Sequence, residues 1–429
     1  MRFAFILRAL SARNYRLFFF GQIVSLAGTW MTQTASLWLV YHLTSSAFWL
    51  GLIGFSSLAP VFLIGPFAGV LVDRVNRHHL LIATQVAAML QSGALAFFAL
   101  TGTITIHHLL VLTLIQGIIN AVDTPVRQTL VVEFVEHRSH LGSAIALNSA
   151  LFNLARLGGP ALGGFVIAAF GAGICYLLDT FSFIAVIAAL SAMRLKPQPP
   201  RTVQKHPWHD LREGFNYTIQ QTPIRALILL VAAFSGVGFS YAVLTPVFAR
   251  DVFEGDAQTL GWLMAATGLG AVSASLYLAS RTGVRGLGRV ITVGGILMGG
   301  GIIGFSQTRW LPLALLFLAL SGMGGVLLMA SSNTLVQTLV DDDKRGRVMS
   351  FFAMGFTGTM PFGNLLMGSL AGKIGAPNTL VIAGAACLLV MFLFVRQIPR
   401  LRAAAAPTLA RLEAAAGEPV FYPQSNSRN

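Results

Sequence analysis

"ALILLVAAFSGVGFSYAVLTPVF", residues 226–248, contains no charged side chain. At about 1.5 Å per residue it is long enough, as a helix, to cross a hydrocarbon core of roughly 30 Å. Apolar residues occupy every face of it, whereas a transmembrane β-strand would alternate in polarity over about ten residues. The stretch therefore predicts a membrane-spanning helix, and runs of the same kind recur along the chain.

Composition carries this reading outward. Of 429 residues, 55% are hydrophobic and 10% charged, with a mean hydropathy of +0.72; soluble domains carry about 25% charged residues. Spans are predicted near 17–41, 47–72, 80–101, 106–128, 142–167 and 171–193, and again near 224–248, 258–280, 289–306, 310–337, 348–372 and 377–396. The fold class is thus an all-α integral membrane protein of twelve transmembrane helices in two six-helix bundles. Residues 1–193 form the first bundle, 194–223 a linker rich in proline and charge, 224–402 the second bundle, and 403–429 a tail. Cys175 and Cys387 fall inside apolar runs and read as small core residues, with no disulfide framework or metal cluster.

A net charge of +14 raises the question of nucleic acid, and the positions of the charges answer it. All but four of the 29 lysines and arginines lie at the N-terminus, in the loops after spans 2, 4, 6, 8 and 10 or the span ends that adjoin them, or in the tail and the span end before it; the exceptions are Arg156, Arg250, Arg309 and Lys373. That asymmetry orients a multi-pass protein in the cell (inner) membrane with both termini cytoplasmic. The partners expected are membrane lipid and a small-molecule substrate, not nucleic acid, and the chain is expected to act as a monomer. "QTLV" occurs at 128–131 and again at 337–340, ending spans 4 and 10, an echo expected of a parallel repeat of two bundles.

Chemistry-bearing residues are sparse. No His-Glu-x-x-His, Gly-x-Ser-x-Gly or Gly-x-x-x-x-Gly-Lys-Ser/Thr sequence occurs, so no enzyme and no cofactor is expected. "GPFAGVLVDRVNRHHLL" (65–81) ends an apolar run on Asp73, beside Arg74 and Arg77. Asp123 and Arg127 stand i, i+4 on one helical face. Arg156 lies about 21 Å into span 5 and Asp179 about 12 Å into span 6 from the opposite side. Both depths fall in one half of the bilayer, so the two are expected to pair, as a structural ion pair or as a proton-coupling pair.

The loop of Gly69, Leu71, Val72, Asp73, Arg74, Asn76, Arg77 and His78 resembles the Gly-x-Leu-Ala-Asp-Arg-x-Gly-Arg-Arg/Lys pattern of the major facilitator superfamily of secondary transporters. The resemblance extends over residues 10–400. It implies that Asp73 meets the start of span 11, "KRGRVMSFF" (344–352), in a cytoplasmic latch that includes Arg345 and Arg347 and can draw in Asp123 and Arg127. "ARLGGPALGGF" (155–165) resembles the exporters' span 5 motif through Gly159, Pro160, Gly163 and Gly164. "RNYRLFFFGQIVSLAGTWM" (13–31), "TPVRQTLV" (124–131), "YLLDTFSF" (176–183) and "DDDKRGRVMS" (341–350) are similar to the branch of enterobactin exporters and macrolide-efflux proteins. Many members of that branch have Asp at the position of Thr29. The resemblance implies secondary active efflux of a hydrophobic or amphiphilic compound, a drug or siderophore, with the proton gradient as energy source. The alternative is nutrient uptake or lipid translocation by the same fold. Spans 1, 4, 7 and 10, flanked by 2, 5, 8 and 11, are then expected to line the cavity, with Gln22, Trp30, Gln33, Asn120, Asn148, Asn153, Tyr241, Asn333 and Asn364 as candidates.

Overall fold

In the computed structural model, residues 7–135, 140–193, 207–281, 283, 284 and 286–416 are described, with side chains at all of these except 7, 66, 69–71, 73, 74, 132, 207–211 and 407–416. A 3₁₀ turn, Leu7–Ser11, leads into α1 (Arg13–Thr44), α2 (Ala47–Arg74), α3 (Arg77–Leu100), α4 (Ile106–Phe134), α5 (Leu141–Phe170) and α6 (Ala172–Ser191). Then come α7 (Pro207–Gln220), α8 (Thr222–Ala233), α9 (Ala257–Ser280), α10 (Leu287–Gln307), α11 (Leu311–Leu339), α12 (Arg345–Ile374) and α13 (Ala376–Ala416). Ten helices among the described residues are long and apolar enough to cross a membrane. The other long helices, α1 and α12, have 32 and 30 residues but carry more polar groups, including Gln22, Gln33 and Asn364.

Local chemistry sets several boundaries. The Asn76 side chain accepts from the His79 amide at 3.1 Å and caps α3, and Thr105 and His108 form a reciprocal cap on α4. Gly171 joins α5 to α6 and Gly375 joins α12 to α13, each with φ of +84°, a conformation that glycine adopts without strain. These two turns stand at matching places in the order of helices, a second echo beside "QTLV".

Three features differ from the sequence expectations. The linker stretch is partly helical, because the 14 residues of α7 form an amphipathic helix that docks on α12. The stretch 226–248 is not one regular helix: after α8 it runs on as a π segment (Phe234–Gly238), a 3₁₀ segment (Phe239–Leu244), a short α turn (Thr245–Val247) and a second π segment (Phe248–Val252). Backbone groups released there are met from α12 and from within the segment, as Thr359 Oγ1 donates to the Ala232 carbonyl at 2.9 Å and Ser240 Oγ to that of Ser235 at 3.3 Å. Finally, α13 continues past residue 402 into the expected tail.

Helices before and after the 194–206 stretch pack mostly among themselves, α1 on α5 and α6, α3 on α4 and α6, α9 and α10 on α11, α10 on α13. Two large pairings cross between these sets: α2 with α12 and α5 with α9. Small residues make the crossings close. A methyl added at Gly164 would lie 2.6 Å from the Ala257 carbonyl oxygen, and one at Gly51 would lie 2.6 Å from that of Asn364.

The crossing between α5 and α9 is closed at one end only. Along the α5 face that meets α9, Gly164 and Pro160 are buried, Arg156 and Asn153 are half-buried, and Ser149, Ala146 and Gly142 are exposed. On α9, Ala257, Gly261 and Gly268 are buried, Val272 and Ser275 half-buried, and Ala279 exposed. The two faces therefore part toward the arginine-rich end, leaving a cleft whose apex lies at Arg156.

Candidate functional site

At the arginine-rich end, Asp123 of α4 is 3% exposed and fully engaged. Its Oδ2 accepts from Arg127 Nη2 at 2.5 Å, and its Oδ1 accepts from Thr84 Oγ1 at 2.9 Å and Gln85 Nε2 at 2.6 Å. Arg127 Nη1 reaches Gln22 Oε1 at 3.4 Å, which ties α1 to the network. The i, i+4 pair expected on α4 is thus one edge of a site joining α1, α3 and α4. Arg77 pairs with Glu133 at 3.1 Å.

The side chains of Asp73 and Arg74 lie outside the described residues, and of Gly69 only the backbone, within α2, is described. The opposite side of the expected latch is visible. Arg345 pairs with Asp342 at 2.5 Å, while Arg347 and Lys344 both bond the Glu213 carboxylate on α7. That carboxylate holds the Lys344 ammonium above its ordinary range, with Asp343 adding to the effect. Tyr217, one turn further on α7, donates to Asp341 Oδ2 at 2.9 Å. Glu213 and Tyr217 escaped the sequence reading because they lie in a stretch read as linker; the apolar and polar faces of "PWHDLREGFNYTIQ" were the available signal.

The expected pairing of Arg156 with Asp179 is not formed. Asp179 is 3% exposed, and its Oδ2 accepts from Thr32 Oγ1 and Ser92 Oγ, both at 3.0 Å. The Ser182 hydroxyl, 3.4 Å from Oδ1, donates to the Asp179 carbonyl at 2.7 Å. Gly28 of α1 abuts this carboxylate so closely that an added methyl would lie 2.6 Å from Oδ1. Arg156, at the middle of α5, lies on the stripe turned toward α9 and within electrostatic reach of Tyr241 in the 3₁₀ segment after α8. Helix α1 separates the two groups: its Gly28 meets Asp179, while its Trp30 and Met31 meet Gly159 and Gly163 of α5. Depth separates them as well, since Arg156 is 14 residues, about 21 Å, from Phe170, and Asp179 only seven, about 10 Å, from Ala172.

The glycine and proline residues of α5 serve two neighbours. Gly159 and Gly163 admit Trp30 and Met31 of α1, whereas the Pro160 carbonyl and Gly164 admit Gly261 and Ala257 of α9. Of the cavity candidates, Gln33 is exposed, and Trp30, Asn120, Asn148, Asn153 and Asn333 are half-buried. Trp30 meets Phe152 edge-on at 5.9 Å. Gln22, Tyr241 and Asn364 are 5%, 3% and 6% exposed, so they do not line open space. Gln22 serves the Asp123 network, Tyr241 lies 3.2 Å from the Thr267 hydroxyl, and Asn364 fills the contact with Gly51 and Gly54 of α2. Helical periodicity places a polar residue in a span but does not say which face its neighbours leave open.

The closed end has contacts that the sequence did not announce. Tyr41 Oη donates to Asp251, and Arg250 Nη1 donates to the Tyr41 carbonyl at 3.3 Å and to Ser45 Oγ at 3.1 Å. These bonds tie α1 to the segment after α8 across the two sets of helices.

Long apolar helices around a cleft that is closed at one end and open at the other define a multi-pass membrane transporter. A family described as transmembrane secretion effector matches residues 6–421, and the chain belongs to that family, in the efflux branch of the major facilitator superfamily. It is a transporter and not an enzyme. It is 26% identical to the staphyloferrin A transporter of Staphylococcus aureus, over 90% of this chain and 97% of that one. Identity to the multidrug efflux pump Tap of Mycolicibacterium fortuitum is 25%, covering 90% and 96%, and to macrolide efflux protein A of Streptococcus pyogenes 21%, covering 90% and 98%. In fold it matches a bacterial homologue of the human lysosomal transporter Spinster in an inward-facing, unoccupied conformation, with a TM-score of 0.66 at 13% identity, over 92% of this chain and 97% of that one.

Proposed function

We propose that this transporter exports a hydrophobic or amphiphilic small molecule by alternating access, coupled to the proton gradient. In this reading it has twelve spans in two six-helix bundles, lies in the cell inner membrane with both termini cytoplasmic, and acts as a monomer. The observation that carries it is the α5 face, sealed against α9 from Pro160 to Gly164 and open from Asn153 to Gly142. With the arginine-rich end cytoplasmic, that geometry is an inward-open cleft with a closed outer gate. Relatives named for siderophore, multidrug and macrolide transport support the direction and the breadth of cargo.

Asp179 is the coupling residue in this reading. Its partners Thr32 and Ser92 come from α1 and α3, so relative movement of these helices would exchange hydroxyls for water and let the carboxyl exchange its proton. Arg156 has no part in that step. Asp73 closes the cytoplasmic latch when the halves rock together, taking over the α12 cations that Glu213 holds here.

The test is accumulation of dyes, antibiotics and siderophores in cells lacking their main efflux systems, with and without the protein, before and after collapse of the proton gradient. Lower accumulation that rebounds on collapse, and is lost in Asp179→Asn, is the expected result. Higher accumulation would indicate uptake and overturn export, and insensitivity to collapse would remove the proton. Reporter fusions at 137 and 206 should both report cytoplasm; an external signal at either overturns the topology.

A further inference from the structure

We propose that the cargo is an organic anion, a carboxylate joined to an apolar body, and that Arg156 holds its acidic group at the apex of the cleft. This deepens the export reading and rests on it.

Arg156 stands 15 residues from Leu141 and 14 from Phe170, midway along a membrane-spanning helix. Among the described residues, none gives its guanidinium a hydrogen bond or an ion pair; the arginines of the network and of the closed end, Arg127 and Arg250, both have partners. A guanidinium carries five donors in a fixed fork, accepts nothing and stays charged, so at mid-membrane it requires an acceptor. Both carboxylates that could serve are taken: Asp123 by Arg127, Thr84 and Gln85, and Asp179 by hydroxyls on the far side of α1. The acceptor is therefore supplied from the cleft, and Arg156 is half-buried where the cleft narrows.

The surroundings say what else the ligand carries. One turn toward the open end, Phe152 is 48% exposed and packs edge-on with half-buried Trp30, which makes an aromatic wall below the cation. A cation above an aromatic wall suits an amphiphile whose planar acidic group accepts two parallel N–H bonds. A permanently cationic drug would meet repulsion at the same point.

The experiment uses the full chain in nanodiscs, with dansylglycine and its methyl ester as fluorescent probes. The acid should bind at least about tenfold more tightly than the ester. Arg156→Gln should bring the acid down to the ester's affinity, and Arg156→Lys, which keeps the charge but loses the fork, should fall between. Equal affinities in the unmodified protein, or undiminished acid binding by Arg156→Gln, overturn the assignment. Should the Gln variant fail to insert, the acid-to-ester ratio of the unmodified protein and the Lys variant decide. Uptake into inverted membrane vesicles separates this inference from the export reading. Acid binding without uptake overturns export and leaves the anion site standing; uptake of ester or of a cationic dye without preferential acid binding does the reverse.

Discussion

Asp179 and Arg156 show how much a single residue's neighbours matter at membrane depth. Because α1 stands between them, Asp179→Asn and Arg156→Gln should act independently. Their effects on thermal unfolding in detergent should add within about 0.5 kcal/mol, and a coupling above about 1 kcal/mol would show that they meet. Gly28 offers a sharper test of the Asp179 pocket. Gly28→Ala places a methyl 2.6 Å from the carboxylate and 2.9 Å from Ser182 Oγ and should destabilise by about 1–3 kcal/mol; adding Asp179→Ala should recover part of that loss, since the nearer of the two clashing atoms is gone. Failure of the second change to relieve the first would mean the strain falls on Ser182 and the backbone of α6. At the Asp123 site, Asp123→Ala should cost about 1–3 kcal/mol, because it leaves the buried Thr84 and Gln85 donors and the partly exposed Arg127 without their acceptor.

Among elements, α7 behaves as a clasp outside the membrane. It reaches α12 through Glu213 and the α11–α12 turn through Tyr217. Partly exposed ion pairs contribute little stability, about 1 kcal/mol or less, so Glu213→Gln should leave the melting point nearly unchanged. It should instead raise amide exchange across Pro207–Gln220, a local loosening readable by hydrogen exchange. Unchanged exchange would show that apolar contacts, such as Phe215 beside Phe351 at 6.0 Å, hold α7 without the charge. The irregular segment after α8 is the other element of interest. Gly236, Gly238 and Pro246 weaken regular helix there, and the hydroxyls of Ser240 and Thr359 take up released carbonyls, so this stretch can change pitch at low cost.

For the whole molecule, the proposed alternating access would set clefts open at opposite ends in a balance that rests on contacts at the closed end. Tyr41→Phe removes the bond to Asp251 while keeping the ring, and should weaken closure by about 1 kcal/mol, a roughly fivefold shift toward the form open at that end. Spin labels at Leu43 and Glu254 would report it as a growing long-distance population. An unchanged distribution would assign closure to the small-residue contacts of α5 with α9 and α2 with α12.

The class of protein and its long apolar helices were legible in the chain, because burial in lipid demands about 20 apolar residues per crossing, and that is a linear property. The Asp123–Arg127 pair was legible for the same reason, since i, i+4 spacing is local. Which partners meet across helices was not. Arg156 and Asp179 looked matched by sign and approximate depth, yet helix rotation turns one toward α9 and the other toward α1, and rotation is decided by which small residues let which backbones approach. Only the packed bundle shows that Gly159 and Gly163 admit α1 while Gly164 admits α9, and so only the tertiary structure left a charge with no partner among the described residues at the apex of an open cleft.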